Sequence, residues 1–152
     1  MIMGIGVDQV EVVRIQKLLT DRPEQAARRL FTTRERQKCE SRQKRDECYA
    51  ARFAAKEAFV KALGCGLREG MSWTDIEVRT DGNGRPRIVL SGPAEEAFLS
   101  RGGSKIFLSF THEGGQAVAF VVLESTDSLS GPGEKPQGDS ADRDTRTGQA
   151  RE

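Results

Sequence analysis

Apolar residues change their spacing along the chain, and each spacing predicts a different element. Residues Ile2 to Val7 form a short apolar run containing two glycines, typical of a buried strand that another element approaches closely. From Gln9 to Asp21 the apolar residues follow the period of an amphipathic helix, which Pro23 closes. The pattern predicts a strand with Asp8 at its end and a helix directly after it.

Three more helices are predicted before the chain reaches residue 65. One runs from Glu24 to Leu30. The next begins at Thr32, because Thr32 and Glu35 have the spacing of a capping box. The longest is predicted from about Arg45 to Leu63, with Gly64 ending it, and its many alanines allow a neighbouring element to approach closely.

After Gly70 the apolar period becomes two, which predicts strands. Residues 73–90 form one hairpin around the Asp-Gly-Asn-Gly turn at 81–84, and residues 106–123 form a second hairpin. A short helix over 94–99 separates them. The fold class is therefore predicted to be α+β, with N-terminal helices packed on a small antiparallel sheet.

Length and composition predict one domain, residues 1–124, followed by a disordered tail, residues 125–152. The tail has one large aliphatic residue, Leu129, so it cannot bury enough surface to offset its ordering entropy. The whole chain is 36% hydrophobic and 31% charged. Such a thin core favours self-association of the protomers.

No apolar run is long enough for a membrane helix, and residues 1–9 lack a signal peptide's charged start, so a cytoplasmic protein is expected. Cys39, Cys48 and Cys65 have spacings that suit neither a zinc site nor a disulfide framework, and free thiols are predicted. With one histidine in the chain, a metal site must rely on carboxylates, which favours Mg²⁺.

Charge is unevenly distributed along the chain. From Gln9 to Arg52 there are twelve Lys or Arg against seven Asp or Glu, a local balance of about +5. A surface of this kind either attracts an acidic partner or is an ordinary solvated helical face. Few aromatic residues are available to stack on bases, which argues against a nucleic-acid partner.

Candidate chemistry lies at three places. Asp8 is a carboxylate at a strand end, although for this residue taken alone a helix N-cap is the simpler explanation. Arg52, Glu57 and Lys61 lie within three turns of one helix, where a surface ion pair is the simpler explanation. His112 is predicted on a turn before two glycines, where most histidines are merely exposed.

The order of these motifs resembles the holo-acyl-carrier-protein synthases, which are the small 4′-phosphopantetheinyl transferases. The matching segments run from about Met1 to Leu123. They are M-G-I-G-V-D ending at Asp8, R-F-A-A-K-E-A from Arg52, Gly84-Arg85-Pro86, and L-S-F-T-H ending at His112. The R-F-A-A-K-E-A run is the most specific.

The resemblance implies an enzyme that transfers 4′-phosphopantetheine from coenzyme A to a serine of apo-acyl carrier protein, giving holo-acyl carrier protein and 3′,5′-ADP in support of fatty acid biosynthesis. It implies a homotrimer with active sites at the subunit interfaces. Asp8 and Glu57 would hold Mg²⁺. Glu57, through a water of the metal, or His112 would take the serine proton.

The same resemblance implies the substrate contacts. Arg52, Lys61 and His112 would face the phosphates of coenzyme A. Gly84, Arg85 and Pro86 would lie near the adenine. Arg14 and its basic neighbours would dock the acidic carrier protein. Phe110 departs from the family pattern, where a smaller residue is expected, and the long tail is a second departure.

Two other functions fit parts of the sequence. A Mg²⁺-dependent phosphohydrolase or nucleotidyl transferase could use the same two carboxylates on another nucleotide. A basic helical module could bind acidic protein or nucleic acid through the segment of charge +5 alone. Mass gain on one carrier-protein serine, in the presence of coenzyme A, separates the transferase from both.

Overall fold

The computed structural model describes residues 1–68 and 70–126. The elements in chain order are β1 (Ile2–Glu11), α1 (Val12–Asp21), α2 (Pro23–Leu30), α3 (Thr33–Glu40), α4 (Arg45–Leu63), a 3₁₀ turn (Trp73–Asp75), β2 (Ile76–Thr80), β3 (Pro86–Leu90), α5 (Gly92–Ser100), β4 (Gly103–Glu113) and β5 (Gln116–Ser125). The predicted α+β class is confirmed, and the helices and both hairpins lie close to their predicted positions.

The strands form two antiparallel sheets rather than one. A three-stranded sheet has the order β1-β5-β4, and β2 pairs with β3 in a separate ladder. The first strand of the chain therefore pairs with the last one described. This pairing brings the N-terminal strand into the same layer as the C-terminal hairpin.

Strand β1 is longer than predicted. It continues through Asp8 to Glu11, so Asp8 lies inside the strand opposite Ala119. The prediction of a helix from Gln9 was wrong for its first turn, because Val10 fits the strand period equally well. Gly6, Asp8 and Val10 alternate on the buried side of β1. The helix-cap interpretation of Asp8 is also wrong, since Glu11 occupies the N-cap position of α1.

Helix α4 forms the centre of the core and packs against β1 and β5. A Cβ atom on Gly4 would lie 2.0 Å from the carbonyl oxygen of Ala62, and one on Gly6 would lie 1.9 Å from that of Ala58. Such distances are shorter than any allowed contact. The backbones of β1 and α4 can touch only because residues 4 and 6 lack side chains, as the glycine and alanine pattern predicted.

Local capping signals were correct. Thr32 accepts a hydrogen bond from the Glu35 amide, and the Glu35 carboxylate accepts one from the Thr32 amide, so the predicted capping box is formed. Gly64 ends α4 with φ of 79°, which a residue with a side chain rarely adopts. These two motifs fix where α3 begins and where α4 ends.

Of the predicted tail, Ser125 is the last residue of β5, and everything after Thr126 lies outside the described residues. Among the described residues, no helix has both the length and the apolar character needed to cross a bilayer.

Replacing Gly6 with alanine should lower the free energy of unfolding by about 2–4 kcal/mol, because the added Cβ forces β1 away from α4. Urea denaturation measures the change. Gly82→Ala is the matched control, since a Cβ there meets nothing within 4 Å, and its effect should stay within about 1 kcal/mol. Equal effects of the two substitutions would contradict the tight packing of β1 on α4.

Candidate active site

The packing of β1 on α4 brings Asp8 beside Glu57 and Lys61. Asp8 is buried, and its Oδ1 lies 2.5 Å from Lys61 Nζ. Lys61 Nζ also donates to the Val7 carbonyl at 3.3 Å. Glu57 is half-buried on the same helix, one turn before Lys61. Charged residues from the strand and the helix thus lie together at one place.

The two carboxyl groups in this cluster are incompletely neutralised. Burial raises the pKa of Glu57 to about 7, with a further rise from a hydrogen bond and charge repulsion with Asp8. Oδ2 of Asp8 is buried and has no conventional donor among the described residues. Both observations are explained if Asp8 and Glu57 share one proton, because two carboxyl groups can form a hydrogen bond with each other only when one of them is protonated. A bound cation can take the place of that proton.

The donor set suits a hard divalent cation. Mg²⁺ in proteins is commonly held by one or two carboxylates, with waters and substrate phosphates completing an octahedron. Asp8 and Glu57 supply two carboxylates, and no group of three or more potential metal-ligating side chains occurs in residues 1–68 and 70–126. Asp8 Oδ2, which has no hydrogen-bond partner among the described residues, is an oxygen that could hold such a cation.

A second group of predicted residues lines a cavity of about 610 Å³, named here the cationic cavity, between the α3–α4 connection, α4, the end of β2 and β4. Arg52, Gly84 and His112 all line it, as does Phe110, the residue that departs from the family pattern. Its other principal charged residues are Arg42, Lys44 and Glu47. Its volume is within the range of small-molecule sites, and its charge favours an anion.

Arg52 is almost completely buried at the wall of this cavity. Its Nη1 contacts the carbonyl oxygen and the sulfur of Cys48, at 3.3 and 2.9 Å. Its Nε has no acceptor among the described residues. Burial lowers the pKa of the guanidinium, and Glu35 opposes that change. A buried cation with a free donor is a favourable partner for an anionic ligand.

His112 lies on strand β4, one residue before its end, rather than on the turn that the sequence predicted. Its Nδ1 lies 3.0 Å from Glu47 Oε2, but the angles do not meet those of a hydrogen bond, and Glu47 Oε2 otherwise has no partner among the described residues. The contact is attractive when the imidazole is protonated. Half of the ring is exposed at the rim of the cationic cavity.

The predicted nucleotide-binding turn is divided between two cavities. Gly84 lines the cationic cavity, whereas Arg85 and Pro86 line a smaller one of about 280 Å³ against β4. Within one protomer the lining of the cationic cavity does not include Asp8, Glu57 or Lys61. The carboxylate cluster, which consists of Asp8, Glu57 and Lys61, and the cationic cavity are therefore two separate parts of the protomer.

Sequence reasoning missed Arg42 and Lys44, which lie on the connection between α3 and α4 and line the cationic cavity. The available signal was the run of basic residues at 42–45 between two predicted helices. It was counted only as part of a charged surface, because the sequence does not reveal that this connection folds over the start of α4.

Lys56 is a buried charge with a structural role. It is 0% exposed, and its Nζ donates to the Leu30 carbonyl, the Trp73 carbonyl and Glu35 Oε2 at 2.6, 3.0 and 2.8 Å. The other Glu35 oxygen accepts from the Val78 amide at 2.7 Å. Every donor of this ammonium is satisfied inside the protein, so no ligand is needed.

The prediction of free thiols was wrong for two of the three cysteines. Cys39, at the end of α3, and Cys48, in the first turn of α4, form a disulfide with Cα atoms 5.4 Å apart, and Cys65 is unpaired. The sequence spacing was uninformative because the turn between the two helices, rather than the chain itself, brings the sulfurs together.

Arg14 is exposed on α1, close enough to Glu57 for its charge to oppose the rise in the Glu57 pKa. Leu18 is exposed one turn further along the same helix. The outer side of α1 therefore presents basic and apolar groups next to the carboxylate cluster, where a partner protein could reach it.

Comparison with known proteins gives consistent results. Residues 4–121 match the model of the 4′-phosphopantetheinyl transferase superfamily. The holo-[acyl-carrier-protein] synthase of Trichlorobacter lovleyi is 49% identical over 125 residues, covering 82% of this chain and 99% of that protein. The synthase structure from Neisseria meningitidis aligns with a TM-score of 0.76 at 37% identity, over 82% of this chain and 100% of its own.

A further solved relative carries a ligand. The Bacillus anthracis holo-(acyl-carrier-protein) synthase, in complex with CoA (3′,5′-ADP), aligns with a TM-score of 0.68 at 39% identity. The alignment covers 83% of this chain and 99% of that chain.

The contribution of Glu57 to the stability of the metal-free protein should fall as pH rises from about 4.5 to about 7, because the pKa of Glu57 moves from an ordinary value of 4.5 to about 7 on folding. Below pH 4.5 both states hold the proton, and above pH 7 the folded state has had to release it. Glu57→Gln mimics the protonated form. The difference in free energy of unfolding, Glu57→Gln minus the parent, should therefore be larger at pH 8 than at pH 5. Both proteins are measured in the presence of chelator.

The matched control for this titration is Glu96→Gln, which changes an exposed carboxylate on α5 and should alter stability equally at both pH values. A Glu57→Gln difference that does not change with pH would contradict the described charge cluster.

Proposed function

The chain belongs to the 4′-phosphopantetheinyl transferase superfamily, and from this premise we infer that it is a holo-acyl-carrier-protein synthase. The reaction transfers 4′-phosphopantetheine from coenzyme A to a serine of apo-acyl carrier protein and releases 3′,5′-ADP. The observation that carries this assignment is the 49% identity to a synthase across 99% of that relative's length.

The carboxylate cluster is the proposed Mg²⁺ site. Asp8 and Glu57 would hold the ion, since both are oxygen donors that lack full neutralisation. Mg²⁺ would neutralise negative charge on the pyrophosphate of coenzyme A. Lys61 is positioned to contribute a second positive charge, because its exposed side chain can leave Asp8 for a phosphate when the cation binds.

The cationic cavity is the proposed site for the nucleotide part of coenzyme A. Arg52 offers an unpartnered donor, and His112 stands at the rim, so both can contact phosphate oxygens. Gly84, Arg85 and Pro86 would border the adenine. Arg42 and Lys44, which the sequence did not single out, extend the same cationic wall.

In the transfer step, the serine Oγ of the carrier protein forms a bond to the phosphorus attached to the pantetheine arm. The bond from that phosphorus to the oxygen of 3′,5′-ADP breaks, and the nucleotide leaves with the bonding electrons. The serine proton must go to a base, and two side chains of this chain can take it: Glu57 in the carboxylate cluster and His112 at the cavity rim.

We propose that the chain is a homotrimer whose sites are completed between protomers. One side of the three-stranded sheet exposes about half of each of four large apolar side chains: Ile5, Val7, Phe107 and Phe120. A continuous apolar face of this kind is a usual sign of an interface. The separation of the carboxylate cluster from the cationic cavity supports the same proposal, because a neighbouring protomer could supply the missing wall.

The acidic carrier protein would dock on α1 through Arg14 and the exposed apolar Leu18 beside it. This surface lies next to the carboxylate cluster, where the serine must arrive. The proposed location is the cytoplasm, as the sequence predicted, with no membrane or nucleic-acid partner.

The direct test of function is mass spectrometry of apo-acyl carrier protein incubated with coenzyme A, Mg²⁺ and the enzyme. One serine should gain a phosphopantetheine, and chelator should stop the reaction. Asp8→Asn should lower kcat/KM by about 10³-fold or more, because it removes a charge from the metal site. Asp21→Asn, an exposed change at the end of α1, is the control. Hydrolysis of coenzyme A without carrier modification would favour the phosphohydrolase instead.

Reversing the charge at Arg14 tests the docking surface. Arg14→Glu should raise KM for the carrier protein by roughly tenfold while KM for coenzyme A changes less than about twofold. Arg101→Glu makes the same charge change at the residue after α5 and should alter neither KM. Steady-state kinetics with each substrate varied in turn gives both values. Equal increases in both KM values for Arg14→Glu would mean that Arg14 supports the fold.

A further inference from the structure

The disulfide between Cys39 and Cys48 lies beside the cationic cavity and closes the connection over residues 41–44. Cys39 is fully buried, whereas Cys48 lines the cavity. The closed connection carries Arg42 and Lys44, which form part of the cavity wall. A bond between the two sulfurs therefore restrains two of the cations that face the cavity.

We propose that Cys39 and Cys48 are a reversible thiol–disulfide pair that sets the anion affinity of the cationic cavity. The identity of the anion, a coenzyme A-type nucleotide, rests on the proposed function. The redox pair itself rests on the positions of the two sulfurs, Arg52 and the connection between α3 and α4.

The surroundings of Cys48 favour a reactive sulfur. Arg52 Nη1 lies 2.9 Å from Cys48 Sγ, and a neighbouring cation stabilises a thiolate over a thiol. The cavity gives a small oxidant access to Cys48, and Cys39 is in place as the resolving thiol. In a protein proposed to be cytoplasmic, a disulfide of this kind is expected to be reversible rather than permanent.

Hydrogen peroxide is the oxidant class that fits the opening. The Cys48 thiolate attacks one peroxide oxygen, the O–O bond breaks, and water leaves after protonation, which gives a sulfenic acid. The Cys39 sulfur then attacks the Cys48 sulfur, and the sulfenic oxygen leaves as a second water. Two thiols lose two electrons to the peroxide. A dithiol reductant reverses the change and is itself oxidised to a disulfide.

Reduction of the disulfide should weaken anion binding at the cationic cavity in two ways. In the disulfide, Arg52 faces a neutral sulfur and its Nε has no acceptor among the described residues, so the guanidinium can serve an anion. On reduction, a thiolate at Cys48 becomes a competing anionic partner, and residues 41–44 gain freedom. The two helices stay together, because Glu40 accepts hydrogen bonds from Arg45 and Tyr49.

The test uses the full chain in a Cys65→Ser background, so that the two thiols of interest are the only ones present. Samples are treated with hydrogen peroxide or with dithiothreitol, and alkylation with mass spectrometry counts the free thiols. Calorimetry then measures the Kd for 3′,5′-ADP. The disulfide form should bind roughly tenfold more tightly than the reduced form and melt roughly 5–10 °C higher. A second treatment with dithiothreitol should restore the reduced values.

Removing the thiol that peroxide attacks should remove the response. Cys48→Ser and, as an apolar alternative for a buried position, Cys48→Ala should each show the same Kd after either treatment. A Kd that is equal for the oxidised and reduced parent, or peroxide treatment that leaves no disulfide, would overturn the proposal.

The identity of the anion is tested separately from the redox pair. If 3′,5′-ADP binds neither redox form, the proposed nucleotide site is wrong. The redox proposal is then decided by the same comparison with inorganic pyrophosphate, which should bind the disulfide form more tightly. Equal pyrophosphate affinities would overturn it.

Discussion

The close packing of β1 on α4 is the constraint on which the site depends. The carbonyl oxygens of Ala58 and Ala62 occupy the space where side chains of residues 4 and 6 would begin. Contact between the two backbones shortens the distance between the next functional positions on each element. Asp8, two residues beyond Gly6 on the same side of the strand, therefore meets the face of α4 that carries Glu57 and Lys61. Gly4 and Gly6 are therefore needed for the position of Asp8 as well as for the packing of the core.

The buried charged side chains differ in whether all of their polar atoms have hydrogen-bond partners. The ammonium of Lys56 has three acceptors and ties α4 to α2, α3 and the 3₁₀ turn, so its charge is used within the fold. Asp8 and Arg52 are also buried, but each keeps an atom without a partner among the described residues. An unsatisfied buried atom of either sign costs free energy unless a ligand completes it. This difference supports the proposed cation at Asp8 and the proposed anion at Arg52.

Local signals in the sequence were sufficient for most of the fold. The capping box at Thr32 and the glycine after α4 act within a few residues, so the sequence alone locates both boundaries. Val10 fits both a helix and a strand period, and only its pairing with Ala117 across the sheet decides between them. The Cys39–Cys48 contact and the cavity wall at 42–44 arise from tertiary packing, which no local pattern encodes. The resemblance supplied the roles of the site residues, and the structure supplied which of them lie together.

The most direct test of the account is to count divalent ions bound to the full chain by titration with Mn²⁺, followed by electron paramagnetic resonance at pH 8. One tight site per chain is predicted, and it should be lost in both Asp8→Asn and Glu57→Gln, with the fold of each variant verified by circular dichroism. Unchanged Mn²⁺ affinity in the two folded variants would contradict the claim that β1 and α4 build a shared metal site.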